Sequence, residues 1–235
     1  MPVYNEEGII EKTERDYYSE IINKLRVSEM IIVNDCPTDD TPAILAKLES
    51  ELEGVKVLKL DKNGGHGKAL RLAYENASLS LVFHTDSNYQ FEPKDFWKLY
   101  DEIADNDMVI GYRAVRHDPL PRLIITNILK VSNMAIFGFG IRDANSPFKL
   151  IRKECLQECL KLIDAPSIML AVTAKWLGYR VREIPVTHLP RLTEEVSINK
   201  WKLLKVCMLS LSQNPQLKKH FNIAKQKNSC KASSS

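Results

Sequence analysis

Leu81-Val82-Phe83-His84-Thr85-Asp86-Ser87-Asn88-Tyr89-Gln90 decides how this chain folds. Leu81-Val82-Phe83 is an apolar run of strand length, and it stops abruptly at a polar, acidic loop. The same pattern stands upstream. Met30-Ile31-Ile32-Val33 runs into Asn34, Asp35, Thr38 and Asp39, and Val55 to Leu60 runs into Asp61, Asn63, Gly64, Gly65, His66, Gly67 and Lys68. Met108-Val109-Ile110 is a shorter run of the same kind. Between these runs lie amphipathic stretches at Glu7–Leu25, Thr41–Leu52, Lys68–Asn76 and Lys94–Asp105. Strands alternating with helices predict an α/β fold with a mostly parallel central sheet flanked by helices on both faces. Pro2-Val3-Tyr4-Asn5-Glu6-Glu7 reads as another strand-end loop, but only Met1 precedes it, so the first strand is expected to be truncated.

Beyond residue 115 the rhythm changes. Arg122–Phe137 reads as a long helix, Phe148–Ile151 as a strand, Lys153–Ile163 and Ser167–Trp176 as helices, and Tyr179–Thr187 as an alternating strand. Asn199–Ser212 reads as a basic amphipathic helix, and the serine-rich end as disordered. The expected organisation is one domain over 1–195, with a nucleotide-binding half (1–115) and an acceptor half (116–195). A basic C-terminal helix and tail would then occupy 196–235.

Composition narrows the function classes. The chain of 235 residues is 44% hydrophobic and 27% charged, as expected of a globular protein with a core of its own. Its formal net charge of +3 is unevenly placed. From Val196 onward there are eight lysines and no acid, which leaves the first 195 residues at −5. The basic end suits an anionic partner such as a membrane surface, and equally a solvated tail. No nucleic-acid partner is expected. The five cysteines show no CxxC or Cys/His ligand spacing, so a zinc-binding module is not expected, and free thiols suit a reducing compartment. No leader pattern is read at the start, and the most apolar stretch, Leu123 to Ile141, is broken by Lys130. The expected location is therefore cytoplasmic, with peripheral contact on the cytoplasmic face of a membrane through the basic helix.

In parallel α/β sheets, ligands bind at the carboxyl ends of the strands. The loops there carry carboxylates, glycines and a lysine, a set suited to a base, a ribose, a diphosphate and a divalent metal. Asp86 and Asn88 lie two apart, so in an extended segment they point the same way and suit a hard cation, with Gln90 continuing the spacing. Gly67-Lys68 resembles a P-loop only superficially. Lys62 stands where such a loop has its first glycine, and Ala69 where it has Ser or Thr. Asp39 also suits a helix N-cap. His66, His84 and His117 are separate in sequence, and none is read as a ligand.

Taken together, Pro2-Val3-Tyr4-Asn5-Glu6-Glu7, Ile32-Val33-Asn34-Asp35 with Thr38-Asp39-Asp40-Thr41, Asn63-Gly64-Gly65-His66-Gly67-Lys68-Ala69 and Thr85-Asp86-Ser87-Asn88-Tyr89-Gln90-Phe91 resemble family 2 glycosyltransferases. The likeness is to those of the dolichyl-phosphate mannose synthase or polyprenyl-phosphate sugar synthase kind. It covers residues 2 to about 115 well. It continues more loosely at Asp143–Lys149 and at Arg191–Ile198. The resemblance implies the GT-A fold, a UDP- or GDP-sugar donor, Mg²⁺ or Mn²⁺, and a lipid-phosphate or glycan acceptor. By position it implies that Pro2, Tyr4, Glu7 and Asp35 hold the base and ribose, and that Lys68 lies near the base or diphosphate. Asp86, Asn88 and Gln90 would form the metal motif, Asp143 would lie near the acceptor and Arg191 near the phosphates.

The implied reaction displaces a nucleoside diphosphate from the anomeric carbon with inversion. A hydroxyl acceptor would need a base, for which Asp143 is the candidate, whereas a lipid phosphate is already ionised. Two departures stand out. Asn88 replaces the second acid of the usual Asp-x-Asp, and Asn34 replaces the first of a common Asp pair. With the truncated strand, they leave open a second reading, a catalytically impaired relative that binds a nucleotide or a partner.

Overall fold

The computed structural model describes residues 1–114, 138, 140–164 and 166–190. Contacts divide the chain into two units, Met1–Arg116 with Asp143–Glu194, and His117–Arg142 with Glu195–Ser235. The first holds every helix and strand described below. The helices expected at Arg122–Phe137 and Asn199–Ser212, the serine-rich tail, and Arg191 lie outside the described residues.

Within the first unit the strands are β1 (Pro2–Val3), β2 (Met30–Asn34), β3 (Val55–Lys59), β4 (Leu81–His84), β5 (Met108–Arg113), β6 (Lys149–Arg152) and β7 (Val181–Val186). The helices are α1 (Ile10–Glu20), α2 (Thr41–Glu51), α3 (His66–Asn76), α4 (Phe96–Glu102), α5 (Lys153–Leu160) and α6 (Pro166–Trp176). One sheet has the order β1-β2-β3, all parallel, and the other the order β4-β6-β5-β7. In the second sheet β5 and β7 run parallel, while β6 runs antiparallel to both of its neighbours. Helices joined to strands by short loops make an α/β architecture, as the alternation of runs predicts.

Strand alternation sends neighbouring residues to opposite faces. Ile32 packs with Ile10, Tyr17, Leu45, Leu48, Phe96 and Phe148 in the main core. Val33, one residue on, packs instead with Ala69 and Ala73 of α3. Small residues on that helix let it lie close against β2. Packed against the main core, Phe83 meets Phe96 and Phe148 edge to face, with ring centroids 5.0 and 4.9 Å apart.

β1 pairs only with the last two residues of β2, Pro2 with Val33 and Val3 with Asn34. The Met1 amine donates to the Ile31 carbonyl at 2.6 Å. Met30 and Ile31 of β2 and Leu81–His84 of β4 line a cavity of about 370 Å³, together with apolar side chains of α1 and α3. Burial pushes the Met1 amine down to about 6, while Glu14 of α1 and Asp86 pull it the other way. Glu14 itself has no exposed surface and no hydrogen-bond partner for either carboxylate oxygen, and burial pushes it up to about 7.

Candidate active site

Loops leave the carboxyl ends of β1 to β4, and each contains a residue with positive φ: Asn5 (51°), Cys36 (51°), Gly65 (78°) and Tyr89 (53°). For the three that are not glycine this conformation costs about 1–2 kcal/mol each, so the surroundings must hold it.

They do so by tying the loops together. Thr38 N–H donates to Asn5 Oδ1 at 2.9 Å, and Asn5 Nδ2 donates back to Thr38 Oγ1 at 3.2 Å. Glu7 N–H donates to Asp39 Oδ2 at 3.1 Å, and Glu7 Oε2 accepts from Asp40 N–H at 2.8 Å. Asp39 also accepts from Thr41 N–H at 3.2 Å, so it joins the start of α2 to the first loop. Asp35, 3% exposed, accepts from Gly64 N–H at 2.6 Å, and its carbonyl accepts from Asn63 Nδ2 at 3.2 Å. The first three loops are therefore braced against one another.

The fourth loop is fastened to α1 instead. Thr13 Oγ1 donates to the Ser87 carbonyl at 3.1 Å, Tyr17 OH to the Phe91 carbonyl at 3.1 Å, and Tyr89 OH to Asp16 Oδ2 at 2.7 Å. The Lys12 ammonium stands 3.8 Å from the centre of the Tyr89 ring. Inside this loop Asn88 Nδ2 donates to Gln90 Oε1 at 2.9 Å, and Gln90 N–H donates to Asn88 Oδ1 at 3.2 Å. The side-chain oxygens of both amides are thus engaged within the loop, whereas Asp86 Oδ1 is buried with no hydrogen-bond partner.

α3 begins at His66, directly after the glycine loop. The unpaired N–H groups and dipole of a helix N-terminus favour a diphosphate, and Lys68, exposed in the first turn, adds a positive charge. Gly64 sits at a close approach, since a Cβ there would lie 3.1 Å from both Leu60 Cδ1 and Lys68 Cδ, side-chain atoms that would have to give by a few tenths of an ångström.

The histidines that the sequence pattern leaves apart are brought together. His84 Nε2 lies 3.8 Å and His66 Nε2 3.9 Å from Asp86 Oδ1. One ligand atom from each of the three residues falls within 4.8 Å of the others. His84 is 3% exposed, its ring stands edge-on to Tyr74 at 5.7 Å, and neither ring nitrogen has a hydrogen-bond partner. Burial pushes this imidazole well below its ordinary value, with Lys149, His66 and the amino terminus adding to the effect. It is therefore neutral at neutral pH. The two-residue spacing of His84 and Asp86 was the available sequence signal. The approach of His66 required the fold.

Asp143, 2% exposed, is held by Arg113 at the end of β5. Arg113 Nε donates to Oδ2 at 2.7 Å and Nη2 to Oδ1 at 3.0 Å, a two-pronged ion pair. Lys149 of β6 is fully buried and donates to the Ala144 carbonyl at 3.0 Å. Burial pushes it down to about 8, against the pull of Asp143 and Asp86. Neither Arg113 nor Lys149 was singled out by sequence. Tyr4, Glu7, Asp35, Asp86, Asn88 and Gln90 lie in the loops that follow β1, β2 and β4, Pro2 lies in β1 and Lys68 in the first turn of α3. Pro2 and Asp35 are buried there, and Tyr4 is 37% exposed.

The family model for glycosyl transferase family 2 matches residues 1–161. The chain belongs to that family. It is similar to the undecaprenyl-phosphate 4-deoxy-4-formamido-L-arabinose transferases of Pseudomonas aeruginosa strain LESB58 and Klebsiella pneumoniae strain 342. The first is 24% identical over 208 residues, 88% of this chain and 61% of the relative. The second is 22% identical over 193 residues, 81% of this chain and 59% of the relative. The chain therefore spans about three-fifths of the length of these curated relatives. Among solved structures, it resembles a mannosyltransferase from Pyrobaculum calidifontis in complex with GDP-Man and Mn²⁺. The TM-score is 0.60 at 18% identity, over 97% of this chain and 73% of that one. It also resembles glucosyl-3-phosphoglycerate synthase from Mycobacterium tuberculosis in complex with UDP. There the TM-score is 0.62 at 16% identity, over 91% of this chain and 77% of that one. These neighbours are GT-A glycosyltransferases, and the fold is the one expected from the motifs.

Proposed function

We propose that the loops at the ends of β1 to β4 form the donor site of a glycosyltransferase that uses a UDP- or GDP-sugar and a divalent cation. The single observation behind this reading is the meeting of these elements on one edge. Asp35 braces the glycine loop, α3 opens its N-terminus there, and Asp86 presents a buried, unpaired oxygen beside them. An unpaired buried carboxylate oxygen next to two imidazoles fits a divalent ion. The two imidazole nitrogens stand 3.8 and 3.9 Å from that oxygen, too far for hydrogen bonds, so they do not already satisfy it.

In this reading Pro2, Tyr4, Glu7 and Asp35 shape the pocket for base and ribose. The N–H groups opening α3, with Lys68, would face the diphosphate, and the resemblance assigns Arg191 to the phosphates as well. Asp86 would hold the cation, whereas Asn88 and Gln90, which the resemblance adds, would first have to exchange their mutual hydrogen bonds to reach it. A divalent cation there, Mg²⁺ or Mn²⁺ by the resemblance, would stabilise the negative charge that gathers on the leaving diphosphate. The acceptor attacks the anomeric carbon from the opposite face, which inverts it. The curated relatives are named for undecaprenyl phosphate, and a polyprenyl phosphate is the acceptor we propose here. Such an acceptor is already ionised and asks for no general base. That agrees with Asp143 being held by Arg113. To accept a proton from a hydroxyl, Asp143 would first have to exchange that ion pair for the acceptor. An acceptor of this class would place the chain on the cytoplasmic face of a membrane, with the basic segment after residue 196 as the contact. Among the described residues no helix is long and apolar enough to cross a membrane.

Thermal unfolding with UDP, GDP and their sugar conjugates, each with and without Mn²⁺, tests the donor site. A ligand at 100 times its dissociation constant adds about 2.7 kcal/mol, which raises the midpoint by about 5–10 °C for a domain of this size. The expected result is a shift with one nucleotide that depends on metal and disappears in Asp86→Ala. A cooperatively melting protein that shifts with none of them would refute the donor site and leave the impaired relative as the better account.

A further inference from the structure

We infer that His66, His84 and Asp86 form a three-ligand site for a first-row transition dication, Zn²⁺ or Co²⁺ ahead of Mn²⁺, with Mg²⁺ strongly disfavoured. The role of this ion rests on the donor-site reading, but its binding stands on the three side chains alone.

The three ligands come from separate parts of the chain. His66 is the first residue of α3, His84 the last of β4, and Asp86 lies two residues further on. The turn of the chain after β4 brings Asp86 Oδ1 to 3.8 Å from His84 Nε2. His84 is buried with both ring nitrogens unpartnered, and Asp86 Oδ1 is buried and unpartnered too. Leaving such groups unpaired costs about 1–3 kcal/mol each, so a site that satisfies them together gains that back on binding.

The spacing is close to that of a metal site. Ligands about 2.0–2.1 Å from a tetrahedral ion lie roughly 3.4 Å from one another. The two imidazole-to-carboxylate distances are 3.8 and 3.9 Å, and all three atoms fall within 4.8 Å. Closing the gap takes a small shift of Asp86 and a modest turn of His66, whose side chain is 48% exposed and free to move. His84, fixed by packing against Tyr74, is the stationary ligand.

Ligand chemistry then selects the ion. Two imidazoles and one carboxylate suit Zn²⁺ and its neighbours, while Mg²⁺ requires oxygen ligands and gives up its waters reluctantly. Asn88 and Gln90, the further ligands that the motif suggests, are bonded to each other, which leaves the imidazoles as the nearest donors to Asp86. Three protein ligands also leave a coordination position open, the arrangement of catalytic rather than structural sites. That open position would be available to the donor's diphosphate.

The test is a Co²⁺ titration of the tag-free full chain without nucleotide, followed by the visible absorption of the bound ion. Zn²⁺, Mn²⁺ and Mg²⁺ are then added as competitors. The expected result is one Co²⁺ per chain with tetrahedral-type absorption, displaced by Zn²⁺ and untouched by millimolar Mg²⁺. His66→Gln, an exposed substitution that leaves the fold intact, should weaken binding about tenfold or more, since loss of even an outer-shell partner commonly costs that much. His84→Gln should abolish it, with the melting curve reporting whether the variant is folded. Unchanged Co²⁺ affinity in His66→Gln, or displacement by Mg²⁺ as readily as by Zn²⁺, would overturn the site. Nucleotide shifts measured separately keep the two readings apart. Binding of UDP or GDP with Mg²⁺ but no Co²⁺ site would sink this inference alone. A Co²⁺ site with no nucleotide binding would sustain it while the donor reading fell.

Discussion

Replacing Glu14 by Gln should change how stability depends on pH. Glu14 is fully buried in α1, neither carboxylate oxygen has a partner, and its pKa is pushed from 4.5 up to about 7. In the unfolded chain it ionises near 4.5. Between these values the folded state holds a proton that the unfolded state has released, so unfolding becomes easier as pH rises. Stability from this group is fully present below about pH 4.5 and is lost by about pH 7. A tenfold difference in proton affinity between the two states corresponds to about 1.4 kcal/mol, so the total loss is about 3 kcal/mol.

Glu14→Gln keeps the shape and removes the titration. Urea denaturation of both proteins at half-unit steps from about pH 4.5 to 8 gives the difference directly, and groups that do not interact with Glu14 cancel. The variant should gain about 3 kcal/mol on the wild type between about pH 4.5 and 7, and hold that gain at higher pH. Two stability curves that run parallel over this range would show that Glu14 titrates normally and is not desolvated as the structure places it.

Two substitutions test the framework around the site. Arg113→Ala should cost about 3–5 kcal/mol, because it strands the Asp143 carboxylate, 2% exposed, without its two-pronged partner; a loss below about 1 kcal/mol in chemical denaturation would mean that the pair is not buried in solution. Gly111→Ala should cost about 1–3 kcal/mol, because its Cβ would lie 2.6 Å from Val186 Cγ1 and 3.0 Å from Phe148 Cδ1. An unchanged melting temperature would show that β5 and β7 are less closely packed than this.

Most strands were legible because each is a short apolar run closed by a polar loop, and the runs fall within a residue or two of the observed elements; β5 continues three residues beyond its run, to Arg113, and β7 was legible by alternation. The direction of β6 was not legible, since its side-chain pattern is the same whichever way the chain runs. Lys94–Asp105 reads as one helix by periodicity. The structure divides it into a 3₁₀ turn at Pro93–Asp95, α4, and a second 3₁₀ turn at Ile103–Asp105. The two helix types share nearly the same apolar spacing over so few residues. The site shows the same limit. Asp35, Lys68 and Asp86 could be placed at strand ends from sequence because their positions follow the runs. Arg113 and Lys149 could not, because what marks them is burial beside Asp143, and Asp143 lies outside the alternating pattern.

Asn88 marks the point where the motif and the structure part company. A second acid there would have given a hard cation two carboxylates. With Asn88 turned onto Gln90, Asp86 would be the single charged ligand of the proposed site, and the other donors would be imidazoles. A dication held by one carboxylate and two imidazoles keeps a residual positive charge, whereas two carboxylates would neutralise it. That residual charge would lie beside the start of α3, whose dipole already favours an anion. The free protein should therefore bind its metal less tightly than a site with two acids, while each bound ion favours a diphosphate more strongly. Metal and nucleotide would then bind cooperatively, each raising the other's affinity by the same factor. Loss of the acid would thus shift the work of the site from holding the cation to presenting it.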